Sequence, residues 1–213
     1  MKPDHQALFA SVLRLSAQDS KALKISDAYS IHRVVYDLFP DVRDADQKQA
    51  SIPSGILYAD KGNALNERIV VLLSDRSPNP SPAYGELNCQ TVNEQFLNHQ
   101  HYRFQVTLNP AKRDRDTGKI IGLSDAPAIS EWFLERCEKS WGFTVKPSQL
   151  HIDQIGNQRF KKNTRTVITH SSAHLSGQLQ VCDRELFIHS IRQGIGRGRA
   201  FGFGLLQVAP LDG

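Results

Sequence analysis

A tyrosine and a histidine near the start of the chain are spaced for proton-transfer chemistry. Tyr29 and His32 are three residues apart in a segment with helical periodicity, so their side chains lie on one face of the predicted helix. An imidazole titrates near neutral pH, and beside a phenol it could donate or accept a proton during a reaction. Taken alone, the pair is more typical of a histidine packed at the margin of a core, so the spacing leaves packing and catalysis open.

Basic residues are concentrated in the second half of the chain. The 213-residue sequence has a net charge of +4; residues 1–100 hold 10 Lys/Arg against 12 Asp/Glu, and residues 101–213 hold 16 against 10. Clusters of this kind bind polyanions, because each neutralised phosphate releases counterions. Either cluster alone could instead be a solvated surface, but two in one half favour nucleic-acid binding. The clusters are Arg159, Lys161, Lys162 and Arg165, and Arg192, Arg197 and Arg199.

A glycine-rich segment overlaps the second cluster, with five glycines in residues 194–204. Glycine permits positive φ and a close backbone approach, which exposes N–H donors to phosphate oxygens. The segment follows a predicted helix and precedes a predicted strand, the reverse of a dinucleotide-binding fingerprint, and it lacks the Gly-Lys-Ser/Thr of a P-loop. A nucleotide cofactor is therefore not expected. A tight turn that packs helix against sheet would need two of these glycines and would not explain Arg197 and Arg199.

The composition excludes several classes of protein. The sequence is 39% hydrophobic and 23% charged, which excludes a disordered chain, and no apolar run approaches the roughly 20 residues of a membrane span. The first residues lack a secretory signal, and the three cysteines are odd in number and far apart, which predicts reduced thiols and a cytoplasmic protein. The histidine pairs lack carboxylate or thiol ligands at a recognised spacing, so no metal is expected.

The first half of the chain predicts a strand, a helix and then three strands. Residues 7–15 alternate as a strand, and Ser26 and Asp27 cap a helix that runs to about residue 39. A hairpin over residues 52–73, with its turn at 61–63, and a strand over 85–92 complete this half. A proline-rich loop stands where a second helix would be expected.

The second half repeats this order with both helices present. Its elements are a strand over 102–108, a helix over 125–141, strand segments within 143–181, a helix over 183–193 and a last strand over 203–208. Residues 112–117 are expected to form a charged loop. The order β-α-β-β-α-β is typical of the ferredoxin-like fold.

The fold class predicted from these patterns is α+β. We expect two tandem ferredoxin-like (RRM-like) domains, with the first domain over residues 1–95 and the second over residues 96–213. The first would carry the helix with Tyr29 and His32, and the second would carry the basic hairpin and the glycine-rich loop.

Three patches of the sequence resemble the CasE family of CRISPR endoribonucleases. The first is Tyr-Ser-Ile-His at 29–32, which runs into Asp-Leu-Phe-Pro-Asp at 37–41. The second is Tyr-Arg-Phe at 102–104, which leads to Leu-Asn-Pro at 108–110. The third is the ending from residue 193 to residue 211, with its glycine-rich segment. The patches stand in the family's order and span nearly the whole chain.

The resemblance implies two ferredoxin-like domains and cleavage of a CRISPR repeat stem-loop RNA without metal or other cofactor. The 2′-hydroxyl of the RNA would attack the adjacent phosphate, leaving a 2′,3′-cyclic phosphate and a 5′-hydroxyl on the mature crRNA. By similarity His32 would be the general acid or base, and Tyr29 would position or stabilise the reacting groups. Arg33 would meet the charge on the phosphorane, since a guanidinium can engage two phosphate oxygens.

The resemblance also implies how the RNA is held and where it goes next. Phosphates and shape dominate recognition of an RNA stem, so basic residues and the glycine-rich loop would grip it. The product RNA would stay bound and join other subunits of a CRISPR interference complex. A non-catalytic RNA-binding subunit of a ribonucleoprotein, in which His32 only packs, is the alternative. The expected RNA-binding residues are Arg159, Lys161, Lys162, Arg165, Arg192, Gly194, Gly196, Arg197, Gly198 and Arg199.

Overall fold

Two antiparallel sheets, one from each half of the chain, carry the helices. The computed structural model describes residues 7–40, 54–64, 66–161 and 167–211. The elements of the first half are β1 (Phe9–Ser16), α1 (Ala17–Ala22), α2 (Ala28–Asp37), β2 (Ile56–Ala64), β3 (Glu67–Ser74) and β4 (Glu86–Thr91). The four strands form a sheet in the order β2-β3-β1-β4. Both helices lie between β1 and β2 in the chain.

The elements of the second half are β5 (His101–Leu108), β6 (Ala111–Arg113), β7 (Ile120–Gly122), α3 (Ala126–Trp141), β8 (Phe143–Thr144), β9 (Leu150–Lys161), β10 (Val167–Val181), α4 (Arg184–Gln193) and β11 (Gln207–Pro210). The second sheet has the order β11-β5-β10-β8, and β9 also pairs with β10. A short ribbon, β6–β7, follows β5. Aromatic side chains from the sheet and from α3 and α4 fill the core of this half.

The strand order confirms the predicted fold class, which is α+β with two tandem ferredoxin-like domains. In the first sheet β1 is central and pairs with β3 and β4, while β2 pairs with β3. In the second sheet β5 takes the place of β1 and pairs with β10 and β11, while β8 and β9 both pair with β10. This is the order that the β-α-β-β-α-β connection produces. In the part of the first half that the structure describes, no helix lies between β3 and β4, as the proline-rich loop predicted. No helix among the described residues is long and apolar enough to cross a membrane.

A capping aspartate fixes the start of helix α2, and an apolar stripe determines which face of the helix is buried. The Asp27 carboxylate accepts a hydrogen bond from the Ser30 N–H at 2.9 Å, and the Ser30 hydroxyl in turn receives the Asp27 N–H. Ile31 and Val35, four residues apart, are buried against the first sheet. His32 directly follows Ile31, so its side chain lies at the edge of the buried stripe and is half-exposed.

Three sequence predictions about boundaries in the sheets are wrong. The turn expected at 61–63 lies inside β2, where the pairing with β3 shifts between Asp60 and Asn63 and Gly62 adopts a left-handed φ of 72°. A glycine with positive φ is common both in β-bulges and in turns, so the residue type alone does not distinguish them. The loop expected at 112–117 begins as β6, and the last strand starts at Gln207 because residues 203–206 are buried outside the sheet.

The two halves meet where β2 packs against the glycine-rich segment. Four consecutive residues of β2, 56–59, are buried, because the strand is covered on both faces. Ile56 and Tyr58 pack in the core beneath α2. Leu57 and Ala59 form a separate cluster with Leu205 of the second half. This packing brings α2 and residues 194–204 to one junction.

Candidate active site at the junction of the two domains

The His32 imidazole contacts the backbone of the glycine-rich segment. Its Nδ1 lies 2.7 Å from the carbonyl oxygen of Ala200. A carbonyl oxygen only accepts, so Nδ1 carries the hydrogen of this bond, and in the neutral ring Nε2 is the basic nitrogen. The rings of Tyr36 and Phe201 pack on the imidazole, with centroids 4.1 and 6.0 Å away. The ring is thus held in one orientation and one tautomer.

Tyr58 donates to the same carbonyl. Its hydroxyl lies 2.9 Å from the oxygen of Ala200, and the side chain is 1% exposed. Burial raises the pKa of Tyr58 above its ordinary value of 10.0, so the hydroxyl keeps its proton and can act as donor. The carbonyl therefore receives two donors from the first domain, one from helix α2 and one from strand β2.

The Ala200 carbonyl is presented by a single 3-10 turn, Arg199–Phe201. Gly202 ends the turn with a φ of 83°, and a Cβ there would lie 3.1 Å from the Tyr58 ring. Only glycine combines this backbone conformation with so close an approach. On the other side, the Arg199 guanidinium donates to the carbonyl of Gln193 at the end of α4, at 2.6 Å. The turn is therefore held against both domains.

Tyr29 and Arg33 lie beside His32 on the outside of α2. The Tyr29 ring centroid is 6.1 Å from that of His32, and Tyr29 is 38% exposed. The Arg33 guanidinium carbon lies 6.0 Å from the Tyr29 ring centroid, a cation–π arrangement. The structure thus brings the three residues proposed for catalysis onto one accessible surface.

A cleft of about 250 Å³ separates the start of α2 from β9 of the second domain. Arg159 is exposed on β9 and lines this cleft together with Asp27, Phe201 and Gly202. The first basic cluster therefore reaches the junction through Arg159. Lys162 and Arg165 lie outside the described residues, as does the side chain of Lys161.

The second basic cluster surrounds the glycine-rich segment. Arg192 is half-buried in the last turn of α4, and Arg197 is exposed. Arg199 is committed to the Gln193 carbonyl, so a contact within the protein explains this arginine. Gly194, Gly196 and Gly198 all have positive φ.

Four of the five glycines have a steric reason inside the protein, and Gly202 beside the Tyr58 ring is one of them. A Cβ on Gly204 would lie 2.3 Å from the carbonyl oxygen of Ile195, one on Gly194 would lie 2.8 Å from a methyl of Leu57, and one on Gly198 would lie 2.9 Å from the Phe203 ring. The tight-turn interpretation of the sequence accounts for such glycines. It does not account for Arg197, whose side chain points to solvent.

Sequence reasoning missed two residues of this junction, Tyr58 and His170. The His170 ring lies 5.8 Å from the rings of both Phe201 and Phe203, and its Nδ1 accepts from the Asn109 amide at 2.9 Å. In the sequence, His170 and His174 stand out only as a possible pair of metal ligands. Among the described residues, no group of three or more His, Cys, Asp or Glu side chains could hold a metal ion. The sequence does contain a signal for Tyr58, because it lies in the unbroken run Ile-Leu-Tyr-Ala at 56–59, and such a run predicts a strand covered on both faces.

The fold and the junction define a class of protein: two ferredoxin-like domains in tandem, with an imidazole of the first domain against a glycine- and arginine-rich segment of the second. The family model described as CRISPR associated protein matches residues 8–210. The chain therefore belongs to this family, and the resemblance inferred from the sequence is confirmed.

Individual relatives agree with the family match. The CRISPR-associated endoribonuclease Cse3 of Thermus thermophilus is 34% identical over 120 residues, which are 52% of this chain and 56% of that protein. The match thus spans about half the length of this curated relative. A structure of Thermus thermophilus Cse3 bound to an RNA representing a pre-cleavage complex superposes with a TM-score of 0.79 at 22% identity, covering 96% of this chain and 100% of that one. A chain of a CRISPR RNA-guided surveillance complex gives a TM-score of 0.65 at 18% identity, covering 95% and 100%.

Proposed function

We propose that the protein is an endoribonuclease that binds the stem-loop RNA of a CRISPR repeat and cleaves it to mature crRNA. The observation that carries this proposal is the contact of His32 with Ala200, because it puts an oriented imidazole at the junction of the two domains, where Arg159 lines the cleft. The similarity to Cse3, which is named an endoribonuclease, supports the same substrate class.

The proposed reaction is a transesterification within the RNA. The 2′-oxygen attacks the adjacent phosphorus, the bond to the 5′-oxygen breaks, and the products are a 2′,3′-cyclic phosphate and a 5′-hydroxyl. One proton leaves the 2′-hydroxyl and another reaches the departing 5′-oxygen. With Nδ1 donating to Ala200, Nε2 of His32 accepts the first proton as the neutral ring or supplies the second as the imidazolium. Neither transfer requires a metal ion or another cofactor.

Tyr29 and Arg33 would act on the phosphate as charge develops. Negative charge grows on the phosphorane oxygens in the transition state, and a guanidinium can meet two of these oxygens at once. The exposed positions of Tyr29 and Arg33 beside the half-buried His32 suit this division of work. His32 would transfer protons while Tyr29 and Arg33 bind the reacting group.

The second domain would hold the RNA. In this proposal residues 1–95 supply the catalytic helix, and residues 96–213 supply the basic hairpin and the glycine-rich loop. Arg159 lines the cleft beside α2, so a stem bound along β9 would reach the catalytic helix directly. The remaining contacts are assigned to Lys161, Lys162, Arg165, Arg192, Gly194, Gly196, Arg197 and Gly198. Arg199, also expected from the sequence to bind RNA, is left out of this assignment because its guanidinium donates to the Gln193 carbonyl.

The product would remain bound and enter a larger assembly in the cytoplasm. The similarity to a chain of a CRISPR RNA-guided surveillance complex supports this role. The partners are therefore the crRNA and other subunits of a CRISPR interference complex.

The test is cleavage of end-labelled repeat RNA from the source genome in EDTA. Wild-type protein should give one product pair, with a cyclic phosphate that acid opens and a 5′-hydroxyl that polynucleotide kinase labels. His32→Ala should lower the cleavage rate by about 10²- to 10⁴-fold and leave RNA affinity within about threefold. His189→Ala removes an exposed histidine on α4 and serves as the matched control.

Two results would contradict the proposal. Equal cleavage by His32→Ala would remove the imidazole from the mechanism. Tight binding of the repeat with no product from wild type, with or without added divalent metal, would identify a non-catalytic RNA-binding subunit.

A further inference from the structure

Tyr58 holds the backbone group that orients His32. We infer that Tyr58 is a positioning residue for the cleavage reaction, acting on His32 through the carbonyl of Ala200. The inference rests on the proposed function, because it assigns Tyr58 to the imidazole that this function uses.

The geometry is a three-group arrangement built across the domain junction. The Ala200 oxygen has two lone pairs, and it accepts from His32 Nδ1 at 2.7 Å and from the Tyr58 hydroxyl at 2.9 Å. Both distances are those of well-formed hydrogen bonds. Since the two donors come from different elements of the first domain, the carbonyl is fixed in both direction and distance.

Burial makes Tyr58 a permanent donor. The side chain packs with Ile31, Val35 and Leu72 in the core under α2, and its pKa is raised by this burial. The ring cannot leave without opening that core, and the hydroxyl does not ionise at the pH of the reaction. Tyr58 therefore ties the Ala200 carbonyl to the same rigid core that holds α2.

The turn that carries Ala200 needs such a tie. It is one 3-10 turn between Gly198 and Gly202, and no side-chain cap holds its amino end. The Arg199 guanidinium ties the turn to Gln193 of its own domain, and this bond does not join it to the first domain. Glycines on both sides give the backbone freedom to rotate the carbonyl away. Groups that support a reacting side chain from behind set its orientation and its tautomer, as they do for metal-bound histidines. Without the tyrosine hydroxyl, the direction of the carbonyl and the tautomer of His32 are less well defined.

A buried tyrosine can also be a core residue whose hydroxyl merely has a partner. Tyr102 provides the comparison, because it is 0% exposed and its hydroxyl donates to the carbonyl of Phe96 at 2.8 Å. It belongs to the core of the second domain. Tyr102→Phe and Tyr58→Phe each delete one buried hydroxyl and one bond to a carbonyl, and Tyr102→Phe also deletes the bond that the hydroxyl accepts from the His99 N–H at 3.1 Å. The general cost in stability is therefore at least as large for the control as for Tyr58→Phe.

The experiment compares the two variants in the full-length protein. The rate constant is measured with enzyme saturating, and the dissociation constant is measured on repeat RNA with a 2′-deoxy substitution at the cleavage site. Tyr58→Phe should lower the rate constant about tenfold, which corresponds to about 1.4 kcal/mol, with affinity within about twofold. Tyr102→Phe should change neither by more than about twofold.

A second readout reports His32 directly and needs no cleavage. In protein labelled with ¹⁵N-histidine, the His32 signals are assigned by their loss in His32→Ala. Wild type should show one protonated Nδ1, and Tyr58→Phe should show exchange between tautomers. Gly202→Ala, whose methyl would press on the Tyr58 ring, should give the same signature if Tyr58→Phe does not fold.

The outcomes separate this inference from the proposed function. A Tyr58→Phe protein with wild-type rate and an unchanged His32 tautomer overturns the positioning role and leaves the nuclease intact. Equal slowing in Tyr58→Phe and Tyr102→Phe also overturns it, since the loss would then be general. If wild type cleaves no repeat, the proposed function fails, and the tautomer measurement still decides the relation of Tyr58 to His32.

Discussion

His32 and Ala200 are 168 residues apart in the chain, yet the imidazole Nδ1 of one lies 2.7 Å from the carbonyl oxygen of the other. The bond crosses from the first ferredoxin-like domain to the second. The orientation of the imidazole therefore depends on how the domains pack together, and a change in that packing acts on the chemistry as directly as a change in α2.

The cap of α2 is expected to matter for cleavage as well as for stability. Asp27→Ala removes the bond to the Ser30 N–H at the start of the helix and should cost about 1 kcal/mol of unfolding free energy. Because Tyr29 and His32 lie in the first two turns, fraying from this end should also slow cleavage severalfold. Urea unfolding and single-turnover cleavage measure the two effects.

Asp125→Ala is the control for this prediction. Asp125 caps α3 through an equivalent bond to the Ala128 N–H at 2.9 Å, in the second domain. It should cost a similar unfolding free energy and leave the cleavage rate within about twofold. Similar slowing by both variants would mean that cleavage follows overall stability and not the local order of α2.

Arg159 is expected to contact phosphate. Arg159→Ala should weaken binding of the repeat RNA severalfold and reduce the slope of log affinity against log salt by about 0.7 to 0.9, because one fewer counterion is released. Lys139→Ala removes a charge from the exposed surface of α3 and should leave the slope unchanged. Filter binding from 50 to 300 mM salt tests this. An unchanged slope for Arg159→Ala would make this residue part of a solvated surface.

Acid is expected to destabilise the protein partly through His170. Burial first, and the charge of Arg197 second, lower the pKa of His170 below its ordinary value of 6.5. The unfolded chain therefore binds a proton at a higher pH than the folded protein does. The stability that His170 contributes is complete above about pH 6.5 and is lost as the pH falls toward its lowered pKa.

The measurement compares urea unfolding at pH 7.5 and pH 5.5. Wild type should lose more unfolding free energy on acidification than His170→Gln, which retains a polar side chain beside Asn109 and does not titrate. Equal losses in the two proteins would show that His170 is not desolvated at this position.

Most of the fold follows from local signals. Asp27 caps α2, as the sequence predicts, and Asp183, the first residue of the predicted helix 183–193, caps α4. Alternation along β1 and β5 identifies the central strands. The bulge at Gly62 could not be predicted, because the same residues favour a turn and only the pairing with β3 decides between them.

The site was less predictable than the fold. Tyr29 and His32 could be singled out from type and spacing, since helical periodicity places residues three apart on one face, whereas Arg33 was implied by the family resemblance. The contribution of Ala200 could not be found, because a backbone carbonyl has no signature in residue type. Tyr58 required the strand to be placed next to the glycine-rich segment, a relation between residues more than 130 positions apart.

Because β2 is buried on both faces, this one strand contributes side chains to two hydrophobic cores. Ile56 and Tyr58 face one core while Leu57 and Ala59 face the cluster with Leu205. A substitution that shifts this strand disturbs both sides at once, so mutational tolerance in either half is limited by the other. Evolutionary change in the core of one domain would therefore require a compensating change in the packing of the other.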